Sequence, residues 1–180
     1  MQQQHSGWDQ QVEGGFVVLD FGSQLTQLIA RRLRELGVFS ELLPFDTKIE
    51  EIKKRKPSGI ILSGGPSSVH EDGSPRADVK ALGAIAPLLG ICYGMQLIAQ
   101  ELGGKVVSSH DKEYGSCMVD WLKPLSPKIP VRSKVWMSHG DVVMVPPPGF
   151  KIAAKSETGH MAAMQSDRAW AVQFHPEVMH

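Results

Sequence analysis

Three features of the sequence predict an α/β fold: an open, mixed, mostly parallel sheet with helices on both faces and a β-rich C-terminal half. Short apolar runs rich in β-branched residues alternate with segments of helical period over the first hundred residues. After the Gly103–Gly104 pair the texture changes to short strand-like pieces separated by turn residues. Strand–helix–strand alternation implies right-handed βαβ units and parallel pairing, and the later pieces are expected to extend the sheet partly in antiparallel fashion.

The run "FVVLDF" (16–21) opens a buried strand. The following "SQLTQLIARRLREL" places Leu25, Leu28, Ile29, Leu33 and Leu36 on one helical face, with Ser23 as its cap and Gly37 as its stop. "VFSELLPF" reads as a second strand, and "TKIEEIKKRK" as a short charged helix that turns Ile49 and Ile52 inward. "SGIILSGGP" is a strand running into a glycine turn, whereas "SSVHEDGSPRADVKALGAIA" carries no clear pattern. "PLLGIC" supplies another buried strand and "YGMQLIAQEL" another helix. Beyond it, "KVVSS", "SCMVDWL", "KVWMSH", "FKIAAKS", "MAAMQS" and "AWAVQFH" read as strands, and "VPPPG" as a rigid loop.

A length of 180 residues suits one domain with a real core, placed at 16–180 behind a flexible tail at 1–15. Nineteen basic residues balance nineteen acidic ones, which gives no electrostatic reason to expect nucleic acid or an anionic membrane as partner. No run approaches the roughly 18 apolar residues of a membrane span, and the N-terminal stretch lacks the basic and apolar regions of a signal peptide. Cys92 and Cys117 are too few for a disulfide framework and lack metal or redox spacing, so a reducing, cytoplasmic location is expected.

Strand, then G-I-C-Y-G, then helix is the arrangement of a nucleophile elbow with sulfur in place of the serine hydroxyl. A lone cysteine is often only a small buried hydrophobe, but Gly90 and Gly94 on either side leave room for a sharp turn and favour the functional reading at Cys92. Cys117 has no such frame. Among seven histidines, His139 in "SHGD" and His175 in "QFHPE" stand beside structured runs. His175 is the better base, because Glu177 two residues on in an extended segment points the same way and can orient the imidazole. His139 is expected in a turn, with Gly140 and Asp141 forming a binding loop. "SGGP" offers backbone N–H groups to an oxyanion, together with the amide of Tyr93, the residue after the cysteine.

Two competing chemistries fail on their own residues. "SGGPSS" is similar to the phosphate loop of ATP pyrophosphatases, but Ser67 stands where that loop needs an acid. "HPE" echoes the zinc deaminases, but the P-C-x-x-C half of that metal site does not exist here, nor does H-E-x-x-H.

Taken in order, "ILSGGP", "GICYGMQ", "SHGD" and "QFHPE" resemble the class I (triad) glutamine amidotransferases, over about residues 16 to 178. The resemblance implies a flavodoxin-like core and a catalytic Cys92, His175 and Glu177 that release ammonia from L-glutamine through a cysteinyl thioester. It implies that Gly65 and Tyr93 supply the oxyanion donors and that Gly64, Gly65, Gln96, Ser138, Gly140 and Asp141 bind the substrate, with "KEYG" (112–115) as a backbone wall. The finer text, "LDFGSQLTQLIARRLRELGV" and "VWMSHGD" above all, is similar to the glutaminase domains of GMP synthases. That likeness implies a synthetase partner of ATP pyrophosphatase type, holding ATP and Mg, which uses the ammonia to aminate XMP. No cofactor and no metal are expected in this chain, which holds no synthetase segment. A catalytically silent regulatory module, or the glutaminase of another amidotransferase such as anthranilate synthase, are the alternatives, and an activity assay separates them.

Overall fold

The computed structural model describes residues 14–178. The elements follow in the order β1 (Phe16–Asp20), α1 (Thr26–Glu35), β2 (Ser40–Pro44), α2 (Ile49–Lys54), β3 (Gly59–Leu62), α3 (Val79–Ile85), β4 (Leu88–Ile91), α4 (Tyr93–Glu101), β5 (Lys105–Trp121), β6 (Arg132–Val145), β7 (Lys151–Ser156), β8 (Met161–Gln165) and β9 (Ala169–Val172). All nine strands lie in one sheet, ordered β2-β1-β3-β4-β9-β8-β7-β5-β6.

The βαβ half is parallel: β2, β1, β3, β4 and β9 all run the same way. The remaining four neighbouring pairs are antiparallel, so the sheet is evenly mixed and the expectation of a mostly parallel one is corrected. The physical reason is connection length. Five late strands follow one another through short turns, and short turns reverse the chain.

Strand alternation sorts the core into two layers. Val17 and Leu19 of β1 face the layer holding Ile52 of α2, Leu82 of α3 and Leu97 and Ile98 of α4. Val18 between them faces Ile29 and Leu33 of α1, together with Trp121 and Phe174, whose rings meet edge-on. Helices therefore cover both faces. A fully buried isoleucine such as Ile52 contributes roughly 1.5–3 kcal/mol.

Three local expectations are corrected. Ser23 is not the helix cap; Leu25 is, and the Ser23 hydroxyl instead accepts from the Leu25 N–H in a tight turn before the helix. Leu36 is 77% exposed, because α1 ends at Glu35 and the chain has already left the core face. The pieces "KVVSS" and "SCMVDWL" belong to one 17-residue strand, β5, in which a register shift between Ser108 and Glu113 absorbs the polar residues that read as a break. The stretch without clear pattern contains α3, seven residues capped by Asp78, whose carboxylate accepts from the Ala81 N–H. Of the tail expected at 1–15, Gly14 bonds to Lys56 and Gly15 to Ser58; its first thirteen residues lie outside the described part. Among the described residues no helix is long and apolar enough to cross a membrane.

Candidate active site

β4 delivers the chain to Cys92, which takes φ +53° and ψ −107° before α4 begins at Tyr93. A non-glycine residue in this region carries a strain of about 1–3 kcal/mol and persists only where its surroundings hold it. Here the Cys92 N–H donates to Val172 O at 2.8 Å, and the Cys92 carbonyl accepts from Gln96 N at 3.2 Å. The flanking glycines are required by contact. A Cβ on Gly94 would lie 2.2 Å from Leu62 O, and one on Gly90 would lie 2.8 Å from the backbone of Gly94. The N–H groups of the first turn of α4, that of Tyr93 included, have no acceptor within the helix and point at the same end as the sulfur. The Tyr93 side chain faces the other way, into the core against Phe21, so this residue can serve the site only through its amide.

His175 follows β9, with its N–H fixed by Trp136 O at 2.9 Å. Its Nδ1 bonds Glu177 Oε1 at 2.7 Å, and both side chains are buried. Burial disfavours charge on this ring, but Cys92 and Glu177 outweigh it and push the imidazole up to about 10. Arg32 of α1 donates from Nε to the Glu177 carbonyl at 2.9 Å, tying a helix to the end of this segment. Gly64 lies where the ring and the cysteine meet: a Cβ there would stand 2.9 Å from His175 Cε1 and 3.4 Å from Cys92 Cβ.

A cavity of about 400 Å³ opens beside the sulfur, and Gly65, Gln96, Ser138, Gly140 and Asp141 all line it with Cys92. The structure thus brings these predicted residues to one place. Gly64 abuts His175 rather than the cavity, and His175 itself stands behind the sulfur. In its thiol form Cys92 has the Ser138 carbonyl as acceptor at 3.5 Å. Lys112 and Tyr114 of "KEYG" form part of the wall. Glu71, Ser67 and Ser68 line it too, from the stretch without sequence pattern.

"SHGD" is corrected from a turn to the interior of strand β6, and His139 is buried. Its ring bonds Glu113 Oε2 at 2.8 Å through Nε2 and Asp141 O at 2.9 Å through Nδ1. Sequence reasoning missed Arg32, Glu113 and Gln173, since each reaches the site through a partner distant in the chain. The only available signal was that Glu113 lies within "KEYG" and Gln173 just before "FHPE". Among the described residues no group of three or more histidines, cysteines or carboxylates is placed to hold a metal ion.

A strained cysteine between strand and helix, backed by a histidine–carboxylate pair at the edge of a mixed sheet, defines a class of proteins, and the comparisons agree with it. Residues 17–180 match the family described as glutamine amidotransferase class-I, so the chain belongs to the class I glutamine amidotransferases. It is 58% identical over 166 residues to a GMP synthase [glutamine-hydrolyzing] of Bdellovibrio bacteriovorus, and 52% identical over 167 residues to that of Thermus thermophilus. These alignments cover 92% and 91% of this chain but only 33% of each relative, so the chain spans about a third of their length. A Thermoplasma acidophilum structure described as a GMP synthase subunit superposes with a TM-score of 0.80 at 31% identity, covering 93% of this chain and 86% of that one. A glutamine amidotransferase from Thermotoga maritima shares the fold with a TM-score of 0.72 at 22% identity, covering 92% and 77%.

Proposed function

We propose that this chain hydrolyses the side-chain amide of L-glutamine and that its ammonia serves the amination of XMP to GMP. The observation that carries the first half is Cys92 at φ +53°, placed at a helix N-terminus beside the buried His175–Glu177 pair. Cys92 attacks the amide carbon as a thiolate, with its proton on His175. The oxyanion that forms is received by the N–H groups of Gly65 and Tyr93. His175 then gives its proton to the departing ammonia, the thioester remains, and His175 draws a proton from the water that hydrolyses it to glutamate. Glu177 holds the ring in one orientation and offsets its charge throughout.

Gln96, Ser138, Gly140 and Asp141 hold the amino-acid end of the substrate, and Gly64 fixes the approach of His175 to sulfur. The second half of the reading is supported by the GMP synthase relatives, in which a matched third leaves ample length for a synthetase. ATP and Mg belong, in this reading, to that synthetase part. The described chain folds as one amidotransferase domain from residue 16 onward, working in the cytoplasm.

The test is glutamate release by the chain alone, by Cys92→Ala, and with a GMP synthetase part plus ATP and XMP. Cys92→Ala should lose activity by a factor of about 10⁴ or more, comparable to removing a triad member. Activity surviving that substitution overturns the mechanism, and glutamate formation without glutamine-dependent GMP formation by the mixture overturns the assignment to XMP amination.

A further inference from the structure

Behind the cavity runs a chain of buried polar groups that the triad does not use. It begins at Glu113 on β5, whose side chain is 5% exposed. Glu113 Oε2 accepts from His139 Nε2 at 2.8 Å, and Oε1 accepts from Thr158 Oγ1 at 2.6 Å. The other ring nitrogen of His139 donates to Asp141 O at 2.9 Å. The same carbonyl accepts from Gln96 Nε2 at 3.1 Å, and Gln96 Nε2 also donates to Gln173 Oε1 at 3.3 Å. Asp141 O is therefore the point where β6 and α4 are joined.

The polarity along this chain follows from which groups can only accept. A carbonyl and a carboxylate flank the His139 ring, so keeping both bonds takes a proton on each nitrogen. Burial pushes the Glu113 carboxyl up, but the bonds from His139, Ser156 and Thr158 win and hold it at about 2, so it stays ionised. At the far end, Asp141 O cannot donate, which fixes the Gln96 amide with its nitrogen toward that carbonyl. Both Gln96 amide protons are then taken, one by Asp141 and one by Gln173. What the amide has left for a ligand is Oε1, an acceptor.

We propose that Glu113 and Gln173 are positioning residues that hold Gln96 from the two ends of this chain, so that its carbonyl oxygen receives the α-ammonium group of the substrate. The inference rests on the glutaminase reading and deepens it, since it names the substrate group that Gln96 selects.

Protection of Cys92 from iodoacetamide tests it without turnover. L-glutamine is compared with glutaramate, which is glutamine lacking the α-ammonium, in the parent chain, in Gln173→Met and in Glu113→Gln. In the parent, half-protection should need about tenfold less glutamine than glutaramate, the worth of one hydrogen bond to a charged group. In both variants the ratio should fall below about threefold, while alkylation without ligand stays within about twofold of the parent. A ratio retained in Gln173→Met overturns the proposal, and that variant decides alone if Glu113→Gln does not fold. A changed rate without ligand would place these residues in the support of the elbow and overturn it as well. Protection of the parent by neither compound would sink the glutaminase reading itself, and this inference with it.

Discussion

Gly64 shows how little space the site leaves. A methyl added there meets His175 Cε1 at 2.9 Å, and on its other side the ring is held by Glu177 at 2.7 Å in a buried setting. The imidazole cannot retreat without stretching that bond, and Cys92 cannot move without giving up the backbone bonds that hold its strained conformation. Gly64 has no positive φ, so alanine is tolerated by the backbone and the effect falls on the reacting groups. Gly64→Ala should therefore lower kcat by about 100-fold, the typical consequence of a displacement on the order of an ångström at the reacting centre. The unfolding temperature should hardly change. A kcat within about threefold of the parent would show that the ring has slack the contacts deny.

At the scale of elements, helix ends were partly legible and partly not. Gly37 stops α1 as the sequence predicts: Val38 N bonds back to Leu33 O at 2.8 Å and Gly37 N to Arg34 O at 2.9 Å, the paired bonds of a Schellman turn. Gly37 has φ +75° and nothing within 4 Å of where a Cβ would stand, so substitution costs backbone strain alone. Gly37→Ala should destabilise by roughly 1–2 kcal/mol, lowering the unfolding temperature by a few degrees with kcat and KM unchanged. A midpoint equal to the parent's would mean that the turn relaxes freely. The start of the same helix was misread, because Ser23 bonds locally to Leu25 in a way that a cap and a turn share in sequence. α3 escaped notice because seven residues are too few to show a period. The long strand β5 was split because its polar middle, paired with β6 across a register shift, looks like a turn to any local pattern.

Over the whole molecule, the site gathers groups from the β4–α4 junction, the end of β9, the turn after β3, the β5–β6 hairpin and one arginine of α1. Cys92, His175 and Glu177 were legible because each sits in a short local motif; Arg32, Glu113 and Gln173 were not, because burial and distant partners give them their part. Two of these buried pairs set opposite ends of a pH profile. His175, ordinarily at 6.5, is raised to about 10, so the stability its proton confers is complete below 6.5 and is lost as pH climbs through about 10. Glu113, ordinarily at 4.5, is lowered to about 2, so its contribution is complete above 4.5 and is lost as pH falls through about 2. The catalytic consequence lies on the alkaline side, since ammonia cannot leave until His175 supplies a proton. The kcat/KM profile for glutamine should hold through neutrality and descend near pH 10, where the ring loses its proton. Glu177→Gln removes one of the two groups that raise His175, so the descending limb should move toward neutrality while the plateau drops by about 100-fold or more. Should the limb keep its position in Glu177→Gln, the proton on His175 would not be held by that carboxylate, and the role of orienter would pass to another group.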